Sequence, residues 1–343
     1  MKYYEQRDEK LKEIYSNLLI GMPDHTQRFV DFCVYKNRTA NTIRGYVQDL
    51  DLFFYYITVT FEEIDSQKDI SLEFLENFTY LDFQKYISFL SDYTRNGKKY
   101  HNGTTSCLRK LSAIRGYYRY FRNVEHSMSK NPAEDLPLPD TADDRKSVVA
   151  LDDEEISKLL SVIHNMTDFS EHQKAYLQRD HLRDTALILV LLGTGLRISE
   201  CIGIDLDDIS FRKKEIRIHR KGNFSSEVFF NDTLSGAIQD YIECERKPKN
   251  PDEQALFLSS RGTRLSVRTA QDIVRKYTDR IGTIDKIYAH RLRSTFASQT
   301  YQKNATDPVL IQHALGHRNL STIQRYVRDD LEARKKAADK GFF

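Results

Sequence analysis

The stretch NPAEDLPLPDTADDRKS, residues 131–147, constrains this chain more than any other. It holds three prolines among acidic residues and has no apolar period. Proline fixes φ and lacks an N–H, so neither a helix nor a central strand runs through such a segment. A linker is the natural reading, and it splits the 343 residues into an N-terminal domain, 1–136, and a C-terminal domain, 148–343, joined by 137–147. Both pieces are long enough to bury a core of their own.

The first piece reads as helices. TANTIRGYVQDLDLFFYYI carries Ile43, Tyr46, Val47, Leu50 and Phe53/Phe54 at three-to-four spacing, with Thr39 or Asn41 as its cap. LDFQKYISFLSDY predicts a second helix and LRKLSAIRGYYRYF a third, its apolar face made of Leu108, Leu111, Ile114, Tyr118 and Phe121. The second piece opens on LDDEEISKLLSVI, where Asp152 and Asp153 suit a helix N-terminus. It is helical apart from EIRIH (215–219) and SSEVFF (225–230), which alternate like strands around the turn RKGNF. The expected fold is mainly α: a helical N-terminal domain, then an α+β domain with a small antiparallel sheet.

Hydrophobic residues make up 40% and charged residues 30%, as in a soluble globular protein. MKYYEQRDEKLKE is too charged for a signal peptide, and ALILVLL is far short of the roughly 18 apolar residues of a membrane span. Cys33, Cys107, Cys201 and Cys244 lack metal or disulfide spacing. The expectation is a cytoplasmic protein without a membrane partner.

The net charge of +2 hides an asymmetry. From Tyr93 to Val124 there is no acid, yet the stretch holds Arg95, Lys98, Lys99, Arg109, Lys110, Arg115, Arg119 and Arg122. A helix with apolar residues inward and an uncompensated basic face outward suits phosphates, and Arg44 of TANTIRGYVQDLDLFFYYI joins the candidate phosphate contacts. A solvated basic face is the plainer alternative.

LLGTGLRISE ends an apolar run in Gly-Thr-Gly and then sets Arg197 between two hydrophobic segments. A guanidinium keeps its proton and requires an anion. AHRLRSTFA places His290 and Arg293 on one helical face. HALGHRNLSTIQRYV adds His317 and Tyr326, and the hairpin turn carries Lys221. Each alone has an ordinary reading: a surface His-Arg pair, a turn lysine, one of twenty tyrosines. His313 and His317 are interrupted by Gly316 and lack a third ligand, so neither a metal nor another cofactor is called for. Together the residues can cleave a phosphodiester. Two arginines neutralise the charge gathering on the phosphoryl oxygens, a tyrosine attacks, and a mobile lysine protonates the leaving alkoxide.

GTGLRISE, RKGN on a hairpin, HRLRSTFA, LGHRN and TIQRYV resemble, in order and spacing, the motifs of the tyrosine recombinases, nearest to the Xer-type single recombinases. TANTIRGYVQDLDLFF resembles that family's core-binding domain more loosely. The resemblance implies that Arg197 and Arg293 bind the scissile phosphate and that Lys221 is the general acid. It implies that His290 assists proton transfer or holds the phosphate, that His317 donates a hydrogen bond to it, and that Tyr326 is the nucleophile. Glu200 is similar to the acid that supports the active-site arginine and histidine. Two positions depart from the pattern: Arg220 stands where glycine often precedes the lysine, and Ser294 stands where histidine often follows the arginine.

The implied activity is site-specific recombination without metal or ATP, through a 3′-phosphotyrosyl link and a Holliday junction. The implied partners are duplex DNA with inverted half-sites, sister protomers forming a tetramer on two sites (monomer or dimer off DNA), and a DNA translocase or accessory factor. Chromosome dimer resolution is the first role and mobile-element integration the alternative. Supercoil relaxation by type IB topoisomerase chemistry and catalytically silent DNA binding fit less well. The tail 328–343 is similar to segments that hold a neighbouring subunit, while residues 1–22 form an extension without an assigned role.

Overall fold

The computed structural model describes residues 3–134, 136, 150–166, 169–170, 174, 178–220, 224–282 and 288–304. The chain divides into two compact units, Met1–Asp144 and Arg145–Phe343, so the division falls within the proline-rich stretch.

The first unit is built from α1 (Tyr3–Leu19), α2 (His25–Tyr35), α3 (Ala40–Thr60), α4 (Leu72–Glu76), α5 (Tyr80–Ser91) and α6 (Thr104–Asn123). Thr39 caps α3, its hydroxyl accepting the Thr42 N–H at 3.3 Å. The apolar period of α3 is its buried face: Ile43, Val47, Leu50, Phe53, Phe54 and Ile57 all lie in the core. They meet Phe83 and Tyr86 of α5 and Leu111, Ile114, Tyr117, Tyr118 and Phe121 of α6. Rings pack edge to face, as Phe53 on Tyr86 at 5.0 Å and Tyr117 on Phe121 at 4.9 Å. Each fully buried ring contributes about 1.5–3 kcal/mol, more than an exposed ion pair such as Arg28–Glu125, which gives about 0–1 kcal/mol. Aromatic burial therefore dominates this unit.

The helix expected to run through Asp92 and Tyr93 stops at Ser91, and the chain enters a hairpin of β1 (Asp92–Arg95) and β2 (Lys98–His101). Asn96 (φ 52°) and Gly97 (φ 73°) occupy the left-handed conformations that a two-residue hairpin turn requires. The Asn-Gly pair is the sequence signal for this hairpin, and the surrounding run of basic residues masked it.

The second unit contains α7 (Asp153–Asn165), α8 (His181–Thr194), α9 (Ile198–Ile202), α10 (Asp232–Asp240), α11 (Val267–Thr278) and α12 (Ala289–Asn304). Asp152 caps α7 and exchanges hydrogen bonds with Glu155, a capping box. An antiparallel sheet in the order β3 (Ile209–Ser210), β4 (Glu215–Arg220), β5 (Phe224–Phe229) contains the expected hairpin, with Glu215 opposite Phe229 and Arg220 opposite Phe224. The buried side of α8 forms the centre of the core. Beside it, the fully buried Asp184 accepts from Arg183 (2.8 Å), Lys276 (2.5 Å) and Tyr277 (3.2 Å), tying α8 to α11. Glu245 accepts the Leu182 and Arg183 N–H groups and closes the N-terminus of α8. Among the described residues no helix is long and apolar enough to cross a membrane.

One core group carries a pH signature. The His25 Nε2–H donates to the Ile70 carbonyl at 2.9 Å, which leaves Nδ1 to accept from the Tyr117 hydroxyl. Burial pushes the imidazole below its ordinary 6.5, against the opposing pull of the Ile70 carbonyl. The unfolded chain then binds the proton more readily than the folded one. The contribution of His25 is complete above about 6.5 and is lost as pH falls through the lowered folded value. Between neutral and mildly acid pH, the urea midpoint of wild type is expected to fall further than that of His25→Gln. Parallel curves for the two proteins would remove His25 from the acid response.

Candidate active site

Helix α8 ends because Gly195 takes the left-handed conformation (φ 63°), its N–H closing on the Leu191 carbonyl at 3.1 Å. Leu196 is buried, and the chain re-enters helix at Arg197, the N-cap of α9. Glu200 lies one turn on. Its carboxylate accepts the Arg197 backbone N–H at 2.9 Å through Oε2 and the Arg197 Nη1 at 2.9 Å through Oε1. By reaching back to the N-cap N–H, the Glu200 carboxylate sets itself against the arginine within one turn of helix.

Arg293 arrives from α12. Its side chain is 1% exposed, and Nη1 donates to the Gly195 carbonyl at 2.6 Å and stands 3.9 Å from Glu200 Oε2. The Glu200 side chain is 9% exposed, while Arg197 keeps 45% of its side chain in solvent. One carboxylate therefore stands between two guanidiniums, groups that bind anions through charge-assisted hydrogen bonds. Arg197, Glu200 and Arg293 are brought together as the sequence led us to expect. The Gly195 carbonyl was missed: Gly-Thr-Gly announces the turn, but nothing in it announces an acceptor for Arg293.

His290 lies one turn before Arg293 on α12, on an exposed part of the helix. Desolvation by surrounding protein, then the charges of Arg293 and Arg197, hold its imidazole below the ordinary histidine value. A neutral ring beside two arginines can accept or relay a proton near neutral pH.

Contacts from the start of α7 and the residues just before it hold α12 in place. The Thr295 hydroxyl accepts the Leu151 N–H at 2.8 Å and donates to the Arg291 carbonyl at 2.9 Å. Arg291 reaches both Glu155 oxygens at 3.3 Å, and Gln299 donates to Asp153 at 2.9 Å. The acidic start of α7 thus also anchors the helix that carries His290 and Arg293.

Lys221, His313, His317 and Tyr326 lie outside the described residues. The strands on either side of Lys221 in the chain, β4 and β5, are described and paired.

The basic stretch of the first unit requires a correction. Its face is not uncompensated, because α3 supplies acids across space. Asp49 binds Arg109 through both carboxylate oxygens, and Asp51 binds Arg95 at 2.7 and 3.2 Å. Lys110 is buried on Asn102 (3.3 Å) and Ser106 (3.1 Å), so it belongs to the interior and not to the outward face. Arg115 donates to the carbonyls of Ala133 and Glu134. Lys98, Lys99, Arg119 and Arg122 are exposed, Arg44 is half-buried, and Arg109 remains largely accessible despite its partner.

Residues 150–332 match the profile of the phage integrase family. The chain is 32% identical over 342 residues to a tyrosine recombinase XerC of Caldanaerobacter subterraneus subsp. tengcongensis, covering 96% of this chain and 90% of the relative. It is 30% identical over 304 residues to a tyrosine recombinase XerC of Oceanobacillus iheyensis, covering 87% and 89%. Among solved structures, a XerH site-specific recombinase bound to palindromic difH substrate has a TM-score of 0.63 at 21% identity, over 91% of this chain and 84% of that one. A lambda integrase dimer bound to a COC′ core site has a TM-score of 0.60 at 14% identity, over 89% and 94%. The family match, the two relatives and the arginine pair around Glu200 agree: this chain belongs to the phage integrase family and is a tyrosine recombinase.

Proposed function

We propose that the chain is a Xer-type site-specific recombinase that cuts duplex DNA at inverted half-sites and rejoins it, with chromosome dimer resolution as its role. The observation that carries the chemistry is the convergence of Arg197 and Arg293 on Glu200, with His290 one turn before Arg293 on the same helix. The arginines grip the non-bridging oxygens of the scissile phosphate and neutralise the charge that grows there in the transition state. Tyr326 attacks phosphorus and its phenolic proton passes to His290 or solvent. The 5′ oxygen leaves with a proton from Lys221, and a 3′-phosphotyrosyl ester remains. His317 donates a hydrogen bond to the phosphate. The ester keeps the bond energy, so rejoining to a second 5′ hydroxyl needs no ATP and proceeds through a Holliday junction. The XerC names of relatives at 30% identity or above favour resolution over mobile-element integration. Four protomers on two sites, in the cytoplasm, complete the proposal. Arg44, Arg109, Arg119 and Arg122 are the proposed phosphate contacts of the helical unit.

Tyr326→Phe is expected to abolish the SDS-stable protein–DNA adduct on a nicked suicide duplex while binding survives, because the hydroxyl serves attack and not grip. A 3′ adduct formed by the Phe variant would exclude Tyr326 as the nucleophile.

Lys221→Ala should cut cleavage severely on an ordinary 5′-oxygen substrate and far less on a 5′-thio substrate, since a thiolate departs unprotonated. Equal losses on both would assign the acid elsewhere.

Glu200→Gln removes the counter-charge between two guanidiniums. With Arg197 half in solvent and Arg293 at 3.9 Å, the expected cost is about 1–3 kcal/mol of stability. Cleavage is expected to fall about 10–100-fold as the arginines lose their alignment. Unchanged cleavage with a lowered melting temperature would confine Glu200 to folding.

A further inference from the structure

The β1–β2 hairpin is an unusual object in a helical unit. Two four-residue strands have marginal stability on their own in water, so something must hold them. One face is held. Tyr93 and Tyr100 are paired in register and stack at 5.0 Å, and Tyr93 stacks on Phe89 of α5 at 5.0 Å. Arg95 lies over the Tyr55 ring of α3 at 4.6 Å while its fork grips Asp51. Asn102 closes the base, its N–H on the Ser91 carbonyl and its side chain on the Leu90 carbonyl.

The other face is bare. Thr94, Lys99 and His101 are exposed on it, and its one acid, Asp92, faces His101 at the base at 3.0 Å. At the tip, Arg95 stands directly opposite Lys98, a like-charge pair that disfavours the ladder. Asp51 offsets Arg95 alone. Lys98, above the Tyr100 ring at 5.4 Å, and Lys99 make no ion pair with any described residue.

We propose that this hairpin is a dedicated DNA-contacting ribbon, pinned to α3 and α5 by one face and setting Lys98 and Lys99 on phosphates of the duplex. The charge decides the occupant: Lys99 on the bare face and Lys98 at the rim of the pinned one are both exposed, and the nearby carboxylate of Asp51 is taken by Arg95, so the tip complements a phosphate backbone. A two-stranded ribbon also has the width that a DNA groove accepts. The like-charge rung, a cost in the free protein, is relieved on a polyanion. The inference rests on the recombinase reading and adds to it an element that works separately from the helix faces.

The test is binding of the full-length protein to a fluorescein-labelled duplex of mixed sequence, titrated at several salt concentrations. Lys98→Gln/Lys99→Gln is compared with Lys10→Gln/Lys12→Gln, which removes the same charge from exposed positions on α1 of the same unit. The hairpin variant is expected to flatten the slope of log K against log salt by about 2, roughly 0.9 for each phosphate that the variant leaves unneutralised, and the α1 variant to leave it unchanged. An unchanged slope in the hairpin variant, or equal flattening in both, overturns the ribbon while leaving the recombinase reading intact. Wild-type protein without salt-dependent binding overturns that reading and the ribbon together.

Discussion

Two arginines cannot share a small volume without a carboxylate, because neither guanidinium can shed its proton. Glu200 meets that constraint, and the rest of the site depends on it. The same side chain caps α9, accepts from Arg197 and faces Arg293, so helix geometry and charge balance are set together. Arg293 is almost wholly buried, where an unneutralised charge would cost several kcal/mol. The Gly195 carbonyl and Glu200 offset part of that.

That arrangement requires α12 to stand in register with the turn after α8. The register comes from the start of α7 and the residue before its cap, which hold Thr295, Arg291 and Gln299. The Leu151–Thr295 bond is buried and the Arg291–Glu155 pair part-buried, so each contact fixes position through defined geometry and contributes about 0.5–1.5 kcal/mol. Asp184 in the first turn of α8, buried among Arg183, Lys276 and Tyr277, ties that helix to α11.

The helical unit distributes charge by a different logic. Its aromatic core supplies cohesion, and Asp49 and Asp51 on α3 take up Arg109 and Arg95. A block of eight basic residues in sequence becomes, in space, a few exposed cations and several that are already occupied. Positive charge at a protein surface is what remains after folding has used its share.

Much of this was legible in the amino-acid order. The prolines of 131–147 separate two units, and the apolar period of residues 40–60 makes a helix whose buried face is that period. Strand alternation makes the 215–229 hairpin, and the spacing of Arg197 with Glu200, and of His290 with Arg293, makes two local pairs. All of these act within one or two turns of chain, where covalent geometry fixes distances. The Asn-Gly turn at 96–97 was equally local, but the basic run around it carried the stronger signal. What only the tertiary structure decided joins residues far apart in the chain: Asp49 to Arg109, Glu155 to Arg291, the Gly195 carbonyl to Arg293. Charge compensation and carbonyl acceptance work through space and leave no period in the sequence. Residue order determined which groups could form the site, and packing decided which of their charges were compensated.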